Sequence, residues 1–226
     1  MNIALLGSGR TGSFLHDVIA PNDQVTDFNS ANKASAAKLA EFDVVICFLP
    51  GDILNDYLNM LIESGRPVII GSTGYKFPEK LENILTKNNV AWVWANNFSI
   101  GMQVAKNAIE ALRFARFILP NAEVSIHEVH HTNKKDAPSG TAVSWKNWYG
   151  DKNVEITSER TDDIVGDHSL TIDADSETIT LSHSSKHRKI FAEGAYWSAL
   201  HIDQLSPGLH DFSDVIKKVQ GENYGS

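Results

Sequence analysis

The chain has 226 residues, and 20 Lys and Arg against 28 Asp and Glu give it a formal charge of −8. With 42% hydrophobic and 21% charged residues, it has an ordinary globular composition, which excludes disordered, collagen-like and low-complexity chains. The acidic balance argues against a general binder of nucleic acid or anionic membranes, though a local basic pocket for a small anion remains compatible with it.

The first hundred residues alternate strand and helix signals. Residues 2–6 read as a strand, 10–20 as a helix stopped by Pro21, 24–28 as a weaker strand, and 33–41 as an Ala-rich helix. Residues 43–49 are apolar on both faces, the pattern of a central parallel strand. A helix over 52–64 would bury Ile53, Tyr57, Met60, Leu61 and Ser64, with Gly65 at its C-cap. A strand at 67–70, a helix at 78–88 with Pro near its first turn, and a strand at 90–95 follow. Strict alternation of this kind predicts a parallel sheet with right-handed crossovers.

The pattern changes near Ser99. An amphipathic helix is predicted over 99–117, ending before Pro120, and strands then dominate, at 123–130, 153–158, 168–173 and 177–183. Asp175 and Ser176 form a hairpin turn between the last two. A helix is expected over 189–204. Residues 100–205 therefore read as a second, α+β domain with an open, mostly antiparallel mixed sheet. The longest purely apolar stretch, residues 44–49, is far short of the roughly 18 residues of a membrane span. The opening residues lack a signal-peptide core. The single Cys47 lies among apolar neighbours and has no partner for an internal disulfide, so a reduced, cytoplasmic setting is expected.

Gly7-Ser8-Gly9-Arg10-Thr11-Gly12 is a G-x-G-x-x-G turn between a strand and a helix, the placement of a dinucleotide fingerprint. Gly7 permits the tight turn, Gly9 lets the backbone approach a pyrophosphate, and Gly12 allows close helix–strand packing. Asp27, twenty residues after Gly7 at the end of the second strand, stands where an acid bonds the adenosine ribose; an exposed loop carboxylate is the alternative reading. Two further loops leave carboxyl ends of strands in this sheet, Gly71-Ser72-Thr73-Gly74 and Asn96-Asn97-Phe98-Ser99. They can line a nicotinamide and its ribose, or be plain turns.

Three His and two Lys fall within His127 to Lys135. On an extended strand Glu128 and His130 share a face, so Glu128 can orient or charge-stabilise His130. Ser139 is a good N-cap for a helix over 140–148, which would expose the amides of Gly140 and Thr141 at a positive helix end near Lys134, a suitable carboxylate site. Two other readings stay open. The three imidazoles could ligate zinc, although no Cys is near and His130 and His131 point to opposite sides of a strand; we expect no metal. The loop could also be a solvated, Lys-rich surface.

The run Glu128-Val-His-His-x-x-Lys-x-Asp-Ala-Pro-Ser-Gly-Thr-Ala142 resembles the signature of the dihydrodipicolinate reductase family. The likeness extends over nearly the whole chain. It includes the glycine turn, residues 71–74, residues 97–101, residues 191–195 and residues 208–212. The chain has G-x-G-x-x-G where the family shows G-x-x-G-x-x-G, and Phe28 and Asn29 follow Asp27 where many members carry a basic residue. The resemblance implies an α/β fold: a Rossmann-type nucleotide domain, residues 1–99 and 206–226, and a substrate-binding domain, residues 100–205, that builds a homotetramer. It also implies reduction of 4-hydroxy-tetrahydrodipicolinate, a small dicarboxylate, by NADH or NADPH in lysine and diaminopimelate biosynthesis. His130 and Lys134 would then be catalytic, and His131, Gly140 and Thr141 would grip a substrate carboxylate. Residues 7–12, Asp27, Gly71, Ser72, Thr73, Asn96, Asn97 and Phe98 would bind the cofactor. Asp27 favours NADH, since a carboxylate repels a 2′-phosphate. The alternatives are another two-domain NAD(P)-dependent dehydrogenase of an amino-acid-derived acid, or a nucleotide sensor without turnover, which would not need His130 or Lys134.

Overall fold

A computed structural model describes residues 1–119 and 121–224. Pro120, which the sequence makes a helix stop, and Gly225 and Ser226, at the end of the expected 206–226 return, lie outside the described residues. Two compact units form: Met1–Ser99 with the chain from Arg188 onward, and Ile100–His187.

The first unit opens with β1 (Asn2–Leu6), β2 (Gln24–Phe28), α1 (Ala36–Leu39), β3 (Val44–Cys47), α2 (Gly51–Ser64), β4 (Val68–Ile70), α3 (Leu81–Lys87) and β5 (Ala91–Trp94). All pairings of these strands are parallel. β3 and β4 are wholly buried, as strands covered on both faces must be. Between β1 and β2 the expected eleven-residue helix shrinks to a 3₁₀ segment, Gly12–Asp17, with no side-chain cap at Thr11. Gly12 and Ser13 are poor helix formers, and β-branched Val18 and Ile19 precede Pro21. α1 is only one turn, fixed by Ser35, whose hydroxyl accepts from the Lys38 amide. In α2 the buried row is Leu54, Leu58, Leu61 and Ser64, and Ile53, expected inside, is 41% exposed. The leucines at i, i+4 and i+7 define the core stripe, with Tyr57 and Met60 packed at its flank.

The second unit holds α4 (Ile100–Leu112), α5 (Ala115–Ile118), β6 (Glu123–His130), α6 (Gly140–Tyr149), β7 (Glu155–Arg160), β8 (Asp167–Ala174) and β9 (Glu177–Ser184). The single helix expected over 99–117 is broken after Leu112. Phe114 and Phe117 stay 62% and 71% exposed, so its last turns are held to the core only through smaller contacts such as Ala115. The sheet order is β7-β6-β8-β9, parallel between β6 and β7 and antiparallel elsewhere. The two-residue hairpin falls at Asp175 and Ser176, as expected. Met102, Ala105 and Ile109 of α4 and Ala142, Trp145 and Tyr149 of α6 pack with Ile126, Leu170 and Ile172. The alternate residues that face away include Ser125, His127, Ser169, Thr171, Thr180 and Ser182. The uncovered face is therefore hydroxyl-rich rather than apolar.

The chain then returns to the first unit as α7 (Lys189–His201), β10 (Gly208–Asp211) and α8 (Phe212–Tyr224). α7 corrects the expected boundary at residue 205. Its buried face is small, with Ala192, Gly194, Ala195, Ser198 and Ala199. A Cβ on Gly194 would overlap the Phe98 carbonyl, and the Tyr196 hydroxyl donates to Asp23 while accepting from the Ala20 amide at 3.0 Å. A face of small residues carries a weak apolar signal, which is why the sequence leaves its partner open. β10 pairs in parallel with β5, completing the order β10-β5-β4-β3-β1-β2. The strand order reverses between β1 and β3, and ligands of open α/β sheets bind beyond the carboxyl ends of the strands at such a reversal. Among the described residues, no helix is long and apolar enough to cross a membrane.

Candidate functional site

At that reversal lies a cleft lined by Gly7, Gly9, Arg10, Thr11, Gly12, Phe48 and Gly71. The three glycines of the turn are small for different reasons. Gly7 has φ +90°, and a Cβ there would lie 2.8 Å from the Phe48 carbonyl carbon. A Cβ on Gly12 would overlap the Gly7 carbonyl oxygen. Gly9 has nothing within 4 Å of where its Cβ would stand. The fold thus accounts for Gly7 and Gly12 and leaves Gly9 with an open, solvent-facing backbone beside the cleft. A backbone bare on that side suits close approach of a pyrophosphate, so these residues fit a dinucleotide.

The other first-unit residues named from sequence also sit at the carboxyl ends of strands. Asp27 is bonded through Oδ1 to His16 Nε2 at 3.0 Å. Gly71 abuts the Phe48 ring. The Ser72 hydroxyl is committed to the Leu49 carbonyl, and the Ser72 carbonyl accepts from the Trp94 indole at 3.2 Å. Thr73 and Asn96 are exposed. Asn97 Oδ1 accepts from the Ser99 amide at 2.8 Å. Phe98 is 2% exposed and packs on Phe212, ring centroids 5.0 Å apart. The side chains of Ser72 and Phe98 are therefore structural, and a ligand could meet these residues only through backbone groups other than the Ser72 carbonyl.

The second unit gathers the His–Lys loop around one buried carboxylate. Glu128 and His130 do share a face of β6, and the imidazole Nδ1 is bonded to Glu128 Oε2. Glu128 Oε1 accepts from Arg160 Nη2 at 2.8 Å and from the Ser139 amide at 3.2 Å. Arg160 also donates to the Asp136 carbonyl at 2.6 Å, so the loop is clamped to the strand that carries His130. Ser139 caps α6 by accepting from the Ala142 amide. Its hydroxyl is also bonded to His168 Nε2 at 3.2 Å. The His168 ring lies edge-on to His130 at 5.0 Å and over Trp145 at 5.7 Å. Lys134 is ion-paired with Asp136 at 2.8 Å. His131 and Thr141 are half-buried and Gly140 is exposed at the start of α6.

The electrostatics follow from this packing. Burial opposes the charge on Glu128, but hydrogen bonds from Arg160, Ser158 and His130 outweigh it and hold the carboxyl at about 2. Burial lowers His130, with Glu128 pulling the other way and the cations Lys134 and Arg160 adding to the depression. His168, buried beside another imidazole, falls to about 4 and is neutral at physiological pH. Asp136 is lowered chiefly by its bond from Lys134. His130, with Nδ1 committed to Glu128, has only Nε2 for proton exchange, and a Cβ on Gly166 would come within 2.9 Å of that atom. Glu128, His130 and His168 offer ligand atoms within 4.8 Å of one another. A guanidinium on the same carboxylate marks them as a hydrogen-bonded network, not as a cation-binding set.

Sequence reasoning missed Phe48, His16, Asp136, Arg160 and His168. A signal existed for His168: it stands in line with Leu170 and Ile172 on the core face of β8, which reads as a buried imidazole. Arg160 had none, because its partner lies 32 positions away.

A switch-point cleft beside a glycine turn, joined in one chain to a separate unit carrying a charged His–Lys cluster, defines a two-unit, nicotinamide-nucleotide-dependent oxidoreductase. Two family models match the chain: "Dihydrodipicolinate reductase, N-terminus" over residues 26–98 and "Dihydrodipicolinate reductase, C-terminus" over residues 101–216. The chain belongs to the dihydrodipicolinate reductase family. It is 30% identical to the 4-hydroxy-tetrahydrodipicolinate reductase of Bdellovibrio bacteriovorus, over 96% of each chain. It is 31% identical to that of Xanthomonas campestris, over 96% of this chain and 93% of the relative. The dipicolinate-bound dihydrodipicolinate reductase of Paenisporosarcina sp. TG-14 superposes with a TM-score of 0.75 at 19% identity, over 95% of this chain and 98% of that one. The glycine turn precedes the first matched residue of the N-terminal model.

Two outcomes are expected. Gly9→Ala leaves the thermal midpoint unchanged but weakens nicotinamide-nucleotide binding, roughly ten-fold, whereas Gly12→Ala costs about 1–3 kcal/mol of stability through overpacking; calorimetry and nucleotide titration separate the two. His168 has a folded value of about 4 against an ordinary 6.5, so the unfolded chain binds the proton more readily. The contribution of neutral His168 is complete above pH 6.5 and is lost as pH falls toward 4. Denaturant midpoints across that window should fall in the natural chain and fall less steeply in His168→Phe.

Proposed function

We propose that this chain reduces the cyclic imine derived from 4-hydroxy-tetrahydrodipicolinate, as its family does, using the two units for two tasks. The first unit holds the nucleotide by the amides of residues 7–12 and by Asp27; Gly71, Thr73, Asn96 and the backbones of Ser72, Asn97 and Phe98 line its nicotinamide end. The bound reduced nicotinamide supplies a hydride. The second unit binds the dicarboxylate. The amides of Gly140 and Thr141, at the N-terminus of a ten-residue helix, and His131 grip one carboxylate. Lys134 exchanges its Asp136 partner for the anionic substrate and gives its proton to the ring nitrogen as negative charge develops there. His130, oriented by Glu128, exchanges a proton through Nε2 as the acid/base. The observation that carries this reading is Glu128: one carboxylate fixes the His130 ring and, through the Ser139 amide, the start of α6.

Asp27 favours NADH over NADPH, because it bonds a free ribose diol and repels a 2′-phosphate. Lys33, a candidate to offset that repulsion, sits in the loop before α1 rather than in a helix. The location is cytoplasmic, in keeping with a single buried thiol that burial pushes up to about 12. The assembly is a homotetramer built on the open sheet face of the second unit, whose Ser and Thr side chains would meet through hydrogen bonds and water. Light scattering at micromolar concentration should report four copies; a stable, active monomer contradicts this assembly.

Lys134→Ala should cut kcat by about 10²–10⁴, the usual range for a positioned proton donor, and His130→Ala should do similar damage. Lys135, exposed and next in sequence, is the control, and Lys135→Ala should keep most activity. Both catalytic variants should still bind NADH. Equal, small effects at all three positions in an NADH-oxidation assay would remove the catalytic assignment.

A further inference from the structure

The ribose acid is not free. Asp27 Oδ1 lies 3.0 Å from Nε2 of His16, a residue of the 3₁₀ segment that follows the glycine turn. A carboxylate only accepts, so Nε2 carries the proton and donates. The two side chains are 46% and 34% exposed, and a polar contact so wetted contributes about 0–1 kcal/mol to folding. Stability therefore gives little reason for the pair.

The surroundings of Asp27 leave its orientation to His16. Phe28, directly after the acid, is 6% exposed and packs edge-on against Phe42 at 5.6 Å. Asn29 turns its carboxamide oxygen to the amides of Ala31 and Asn32. Asn32 donates to the Asp27 carbonyl, not to its carboxylate. Lys38 is held by the Lys33 carbonyl at 3.0 Å. The loop thus fixes its own backbone, and His16 reaches across from the other side of the glycine turn to hold one carboxylate oxygen.

We propose that His16 is the positioning residue that sets the preference for NADH over NADPH, by holding Asp27 so that its second oxygen meets a free ribose diol. The inference rests on the nucleotide role given to the first unit under Proposed function. The contact it supports exists only for a cofactor with a free 2′-hydroxyl. Loss of His16 therefore weakens NADH and leaves NADPH, which never makes that contact, nearly untouched.

Dissociation constants for NADH and NADPH, measured by fluorescence titration of the full chain, test this without turnover. His16→Ala should weaken NADH about five-fold and change NADPH less than two-fold. His16→Gln, which keeps an N–H donor without the imidazole, should restore most NADH affinity. In an Asp27→Ala background, removal of His16 should have no further effect on NADH, as a double-mutant cycle requires of a residue acting through another. In steady-state assays KM for NADH should rise while kcat holds. NADH binding within two-fold of the natural chain in His16→Ala overturns the inference, as does a failure of His16→Gln to rescue or an undiminished His16 effect without Asp27. A natural chain that binds neither nucleotide overturns the nucleotide reading as well, so the two failures are distinguishable.

Discussion

A carboxylate with no access to solvent must find donors for its oxygens or be protonated, and Glu128 meets that demand with Ser158 and with groups drawn from three further places in the chain. The imidazole of His130 comes from its own strand, the guanidinium of Arg160 from the neighbouring parallel strand, and the amide of Ser139 from the cap of α6. Removing any one leaves part of a buried charge unmatched, which is far more costly than losing an exposed pair. The geometry of the proposed substrate site is therefore over-determined: strand register, loop path and helix start are all set by one side chain. Arg160 extends the constraint to the loop by also bonding the Asp136 carbonyl, next to the carboxylate that restrains Lys134.

Much of this was legible because strands and helix caps obey short-range rules. Alternation along residues 123–130 put Glu128 and His130 together, and Ser139 was recognisable as a cap. The parallel sheet followed from its alternating elements. The misreadings have physical causes. Periodicity alone cannot choose between neighbouring apolar rows, and in α2 the leucine row displaced the one containing Ile53. The segment after the glycine turn lacked the propensity to sustain an α-helix, and the aromatic residues at the end of the 99–117 segment found no place in the core. The Arg160 and His168 partners are tertiary; only His168 betrayed itself, by keeping step with Leu170 and Ile172.

The first unit shows the same division between fold and ligand. Gly7 and Gly12 are required by backbone crowding, as is the small face of α7 around Gly194. Gly9 and the His16–Asp27 pair have no such justification in packing. Positions whose residue type the fold does not explain are where a ligand remains the better reason, and both stand at the carboxyl ends of β1 and β2.

The pairing of β10 with β5 has a consequence for how the chain is made. Synthesis proceeds from the N-terminus, so β5 emerges with one side unpaired and must wait for more than a hundred further residues before Gly208–Asp211 covers it. Throughout that interval the sheet of the first unit presents an open parallel edge, a template for wrong pairing. Ile100–His187, by contrast, is a continuous segment with its own core and can fold inside the interruption. The segment between β5 and its last partner can thus complete its own core before the strand that finishes the nucleotide sheet has been made.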